Sequence, residues 1–137
     1  MHRSTILMAC ALAGAAAATA GLSLAGAQTP AAGFYTQDQA SQGMILFNDN
    51  CAQCHRPDLT GALGPALIGK AFLDKWGNQP LSNLYGFEHS AMPATNPGSL
   101  PDSTLLPITA YILQKNGLPA GDKPFDKTML SRTLTAP

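Results

Sequence analysis

The sequence has almost no electrostatic character. Eight basic side chains stand against eight acidic ones, and only 12% of its 137 residues are charged. No block of like charge occurs anywhere along it, so it lacks the basic excess that nucleic-acid binding requires. Strands are missing from its pattern as well: no stretch alternates apolar and polar residues for more than a few positions, which argues against a sheet. There are no internal repeats. Three cysteines are too few for a disulfide-stapled scaffold. Apart from the first two dozen residues no apolar run is long enough to cross a bilayer. A hydrophobic content of 45% nonetheless suits a folded globular chain of one domain.

The front of the chain reads as a targeting segment. His2 and Arg3 form a short basic region, Thr5 to Leu24 is apolar and alanine-rich, and Ala25-Gly26-Ala27 supplies small residues at a peptidase site. Cleavage is therefore placed before Gln28, giving a signal peptide over 1–27 and a domain over 28–137. A retained anchor is the alternative, disfavoured because alanine and glycine are weakly apolar; so is lipidation at Cys10, which has only a short apolar run before it. Removal of 1–27 discards Arg3 and Cys10 and leaves seven basic against eight acidic side chains. The implied compartment is the periplasm, with no stable membrane insertion.

Behind the leader the pattern is helical, and the fold class expected is all-α. Thr36 and Gln39 form a capping box, and Ala40, Gly43, Met44, Phe47 and Cys51 recur at helical spacing, predicting a helix over 37–50 with Met44 in the core. Gly61, Gly64, Pro65 and Gly69 punctuate a loop from Arg56 to Gly69. Short helices are predicted over 70–76 and 80–88, the second opened by Pro80. An irregular stretch with three prolines follows and carries Met92. A last helix over 103–116 uses Leu105, Ile108, Tyr111 and Ile112, with Lys115 and Gly117 at its C-terminal end. Pro107 falls near its first turn, where a missing N–H costs least. The core is expected over about 36–118 and a loose tail over 119–137.

The chemistry lies in "CAQCH", residues 51–55. Stabilising disulfides close long loops, and a two-residue gap closes almost none, so Cys51 and Cys54 are bonded to something else. A redox dithiol belongs at a strand-to-helix junction, and no strand precedes this pair. Zinc needs four ligands, for which Cys51, Cys54, His55 and the distant His89 are the only cysteine and histidine candidates in the mature chain. A single covalent haem explains every member: both thiols add to its vinyl groups within one helical turn, and His55 projects beneath the ring as the proximal ligand. The macrocycle then supplies apolar bulk that short helices lack.

Over about residues 36–118 the chain resembles the class I c-type cytochromes. The likeness rests on Gly43, Phe47, Cys51-Ala52-Gln53-Cys54-His55, Gly64-Pro65-Ala66-Leu67, Met92-Pro93 and Ala110-Tyr111-Ile112, in that order. It implies four to five short helices wrapped around one haem c. It further implies a crossing of the first and last helices at Gly43, Phe47 and Tyr111, a hydrogen bond from His55 to the carbonyl of Pro65, and Leu67 covering the haem. His55 and Met92 become the iron ligands, with His89 the alternative to Met92; Trp76 and Tyr85 are candidate partners for the propionates. The run from Ala71 to Pro101 is similar to small cytochrome domains found beside periplasmic quinoprotein dehydrogenases. The role implied is a non-enzymatic electron carrier between such a dehydrogenase and a downstream oxidase or cytochrome. A haem enzyme or gas-binding protein with an open distal site, or a subunit of a larger complex, are the competing readings.

Overall fold

A computed structural model describes residues 33–135; the signal-peptide segment lies outside them. The chain forms five α-helices: α1 Gln37–Asn50, α2 Ala52–His55, α3 Gly69–Trp76, α4 Leu81–Ala91 and α5 Asp102–Lys115, then a 3-10 turn at Lys127–Met129. Among the described residues the only strand-like pairing is an isolated bridge between Pro80 and Thr133. The all-α expectation holds, and no described helix is long and apolar enough to cross a membrane.

Helix α1 begins as its sequence dictates, with the Thr36 hydroxyl accepting from the Gln39 N–H at 3.2 Å. Its buried stripe is Ala40, Gly43 and Phe47. Met44 is 44% exposed, which corrects its assignment to the core. The reason is the narrowness of the contact with α5. A Cβ on Gly43 would lie 1.8 Å from the Pro107 carbonyl oxygen and 3.0 Å from the Tyr111 Cβ, so the backbones of α1 and α5 touch there. One position further round, Met44 has turned out of the seam. The crossing is closed by Phe47 and Tyr111, whose ring centroids are 5.6 Å apart, as the resemblance implied.

Helix α4 runs three residues past its expected end and stops at Met92, which is extended (φ −116°, ψ 153°). A residue before proline is pushed out of the helical region by the ring that follows, and Pro93 does this to Met92. Pro107 is the sixth residue of α5, two beyond the first four, whose N–H groups lack intrahelical partners.

The segment after α5 is not a loose tail. Phe125 and Leu134 are each 1% exposed. Gln39 clamps Phe125 through two hydrogen bonds, Nε2 to its carbonyl at 2.8 Å and Oε1 from its N–H at 2.6 Å. Further along, the Leu81 and Ser82 N–H groups donate to the carbonyls of Arg132 and Leu130, so the segment straps down the start of α4. At its near end Phe34 donates to Pro119 and Gly121 to Tyr35. Among the described residues the packed core therefore extends from Phe34 to Leu134, beyond the expected 36–118.

Gly43→Ala should destabilise the haem-loaded protein by about 1–3 kcal/mol or more, because backbone must move to admit the methyl group. Gly86→Ala, where the added carbon meets nothing within 4 Å, should stabilise it by up to about 1 kcal/mol. Guanidinium unfolding of both variants beside the wild type checks the contrast.

Candidate haem site

The end of α1 delivers the chemistry. Cys51 leaves the helix and α2 follows at once, its four residues ending in His55. Cys51 and Cys54 are both free and half-buried. The loop behind α2 folds back on it: the Cys54 carbonyl accepts from the N–H groups of Ala62 and Gly64, and the His55 carbonyl from that of Gly61. Gly64 lies so close to the imidazole that a Cβ there would be 2.6 Å from its Cε1, which is why this position carries no side chain. The next residue receives the ring. His55 Nδ1 is 2.8 Å from the Pro65 carbonyl oxygen, so Nδ1 holds the proton and donates it, leaving Nε2 as the unprotonated nitrogen. Asn116, at the end of α5, secures the far end of this loop by accepting from the Gly69 N–H and donating to the Leu67 carbonyl.

These residues border a cavity of about 380 Å³. Its lining includes Cys51, Cys54, His55, Pro65, Leu67 and Met92, so the thiols, the imidazole and the thioether border one space. Protein interiors are close-packed, with few voids larger than a water molecule, and cofactor sites span roughly 300–1,000 Å³. A space of this size, walled by aliphatic and aromatic side chains with two thiols and an imidazole at its edge, fits a flat apolar macrocycle with a central metal. The competing chemistries fit poorly. No group of three or more His, Cys, Asp or Glu side chains that could hold a metal occurs among the described residues. Burial, then the nearby charges of Glu88 and Cys54, pushes the Cys51 thiol up to about 12, the reverse of the depressed value that activates a redox dithiol.

One expectation about a flanking residue changes. The Tyr85 hydroxyl is occupied, donating to Asp102 at 2.6 Å, and Tyr85 does not line the cavity; Trp76 does. His89 points away from the cavity, half-exposed and 3.5 Å from the same carboxylate.

A family model described as "Cytochrome C oxidase, cbb3-type, subunit III" matches residues 38–112, more than half the chain. The protein belongs to the class I c-type cytochromes, with one haem. That family implies covalent haem c. A solved structure, the sulfane dehydrogenase SoxCD from Paracoccus pantotrophus, is similar to this cytochrome at 33% identity over 61% of its length, with a TM-score of 0.51. The cytochrome spans 46% of that longer chain. A search of curated proteins gives no match.

One residue of this cytochrome's cavity went unnoticed in the sequence. Glu88 lines it, fully buried, and its Oε1 has no hydrogen-bond partner. Its other oxygen meets the Thr109 hydroxyl, which also lies 2.9 Å from the Leu105 carbonyl. A threonine has one hydrogen to donate, so a carboxyl carrying its own proton satisfies both contacts. Desolvation acts the same way and pushes Glu88 up to about 8, against a smaller opposing effect of the Thr109 bond. The signal was available: Leu81, Leu84, Tyr85 and Glu88 stand at i, i+3, i+4 and i+7, the buried face of α4.

Because the folded state holds a proton on Glu88 that the unfolded chain releases near pH 4.5, this group costs stability as pH rises from there through about 8. Glu88→Gln should abolish that loss, which amounts in full to on the order of 3–5 kcal/mol. Unfolding midpoints at pH 5 and pH 8 should converge in the variant and separate in the wild type.

Proposed function

We propose that this cytochrome is an exported, periplasmic electron carrier. In this reading Cys51 and Cys54 hold one haem c covalently, His55 and Met92 are its axial ligands, and Leu67 covers it. The observation that carries the reading is that one cavity is bordered by the CxxCH turn, with the imidazole already oriented by Pro65, and by Met92. Haem c supplies reversible one-electron chemistry when bound. The chain's own contributions are geometric. Pro65 keeps the His55 proton on Nδ1, so Nε2 is the nitrogen turned toward a metal in the cavity. Pro93 forces Met92 out of α4, freeing its side chain from the helix surface. The apolar walls exclude water, and a thioether, being a soft ligand, favours the reduced metal. With both axial positions filled from the protein, no substrate has access, which supports a carrier over an enzyme or gas-binding protein.

The direct test replaces Met92. The oxidised wild type should show the weak far-red absorption of sulfur bound to ferric iron, and its reduced form should not bind carbon monoxide. Met92→Ala should lose that band, bind carbon monoxide and show a lower potential. Survival of the band in the variant would reject Met92 as the ligand.

The partner proposed is a periplasmic dehydrogenase, with a downstream oxidase or cytochrome receiving the electron. The surface beside the cavity favours an apolar contact. Leu63 is 85% exposed and Phe87 40% exposed, both bordering the cavity, with Lys75 lying over the Phe87 and Trp76 rings. Such a patch suits a transient encounter of under roughly 1,200 Å² with association near the unsteered range of about 10⁵–10⁶ M⁻¹s⁻¹. Stopped-flow reduction by a candidate dehydrogenase should slow by less than about tenfold between low and physiological ionic strength; a much steeper fall would contradict apolar docking.

A second reading is an electron-transfer module inside a larger complex. The description of the matched family and the sulfane dehydrogenase similarity favour it. Native size in an extract of the expressing cell separates the two, a free carrier migrating at its monomer mass.

A further inference from the structure

The loop that carries Met92 makes only local hydrogen bonds among the described residues, and its Leu100 packs against the core. Its hydrogen bonds run from Asn96 N–H to Pro93, from Gly98 N–H to Met92 and from Ser99 N–H to Asn96. Residues 93–100 hydrogen-bond to no other part of the described chain. Where Met92 stands therefore depends on how the end of α4 is held against the start of α5, and on what fills the cavity.

At the start of α5 one side chain reaches both α4 and the C-terminal strap. Asp102 is the first residue of α5, immediately after the loop. Its Oδ1 accepts from the Tyr85 hydroxyl at 2.6 Å and lies 3.5 Å from His89 Nε2, both on α4. Its Oδ2 is 2.5 Å from the Lys127 ammonium, in the 3-10 turn of the C-terminal strap. Tyr85 is itself wedged between the His89 and Phe125 rings, at centroid distances of 5.9 and 6.3 Å. A single carboxylate thus joins both helices that bound the loop to the strap that covers them. Lys127 and then Tyr85 hold its carboxyl below the usual carboxylate range, so it stays charged.

We propose that Asp102 is a positioning residue for the axial methionine: by clamping the two ends of the Met92 loop together it sets how often the thioether leaves the cavity. This rests on the reading of Met92 as the axial ligand. A side chain on a loop competes with an outside ligand through its effective concentration, which falls as the ends of the loop gain freedom. Charge-assisted bonds to a carboxylate are among the stronger side-chain contacts. This one is about a third exposed and correspondingly screened, so the effect is moderate.

The test is imidazole titration of the oxidised holoprotein, read from the spectrum, since imidazole binds only when the methionine has left. Asp102→Ala should raise the apparent imidazole affinity by about threefold to tenfold, a moderate shift for a partly screened contact. Tyr85→Phe and Lys127→Met, each removing one contact, should give smaller increases in the same direction and keep the proposal testable should Asp102→Ala fold poorly. Guanidinium midpoints measured in parallel separate positioning from general stability. A lowered midpoint with wild-type imidazole affinity in all three variants overturns the clamp, provided Met92→Ala has lost the far-red band. If that band survives in Met92→Ala, the axial assignment has failed and the proposal falls with it.

Discussion

Everything in this fold is hung from the place where α1 and α5 touch backbone to backbone. The remaining helices are short, and they surround an open space instead of filling one. Gly43 removes the side chain that would hold α1 away from the Pro107 carbonyl, and Phe47 against Tyr111 locks the crossing angle. That contact decides where α1 ends and hence where the Cys51–His55 turn is presented. It also fixes the end of α5, from which Asn116 reaches back to hold the loop at Leu67 and Gly69. The imidazole and the carbonyl that orients it are thereby built from opposite ends of a single rigid pair.

The cavity wall is apolar because a ligand-to-metal bond of modest strength survives only where water cannot compete. Glu88 is the exception, and its setting shows what a carboxyl needs to remain there: no solvent, one hydroxyl from Thr109, and a proton of its own. A negative charge at this depth would stabilise oxidised iron and lower the potential, opposing the effect of a thioether ligand. Desolvation keeps that charge away, so the wall would act in the same direction as the proposed Met92 ligand.

Much of the site was legible because its chemistry is local. Two cysteines and a histidine within one turn admit few partners, and the Thr36 cap and the stripe from Leu105 to Ile112 located the two long helices almost to the residue. The resemblance to class I cytochromes added the His55–Pro65 bond, found at 2.8 Å. What escaped was non-local. Met44 sits beside the true stripe, and periodicity gives the direction of a buried face but not its width. The strap after Gly117 docks largely through backbone hydrogen bonds and three scattered apolar anchors, Leu118, Phe125 and Leu134, so it leaves no repeating pattern to detect. Asp102 draws its partners from α4 and the strap, seventeen residues back at Tyr85 and twenty-five ahead at Lys127, and only the folded chain brings them together.

One covalently attached haem filling the cavity is what every role assigned to these residues requires. Mass spectrometry of the exported protein, purified and then denatured in acid, addresses this without reference to activity. The predicted result is the mass of the polypeptide plus a single haem, with the added mass mapping to the peptide that contains Cys51 and Cys54. A polypeptide of unmodified mass, with both thiols alkylatable and the helices intact, would contradict it.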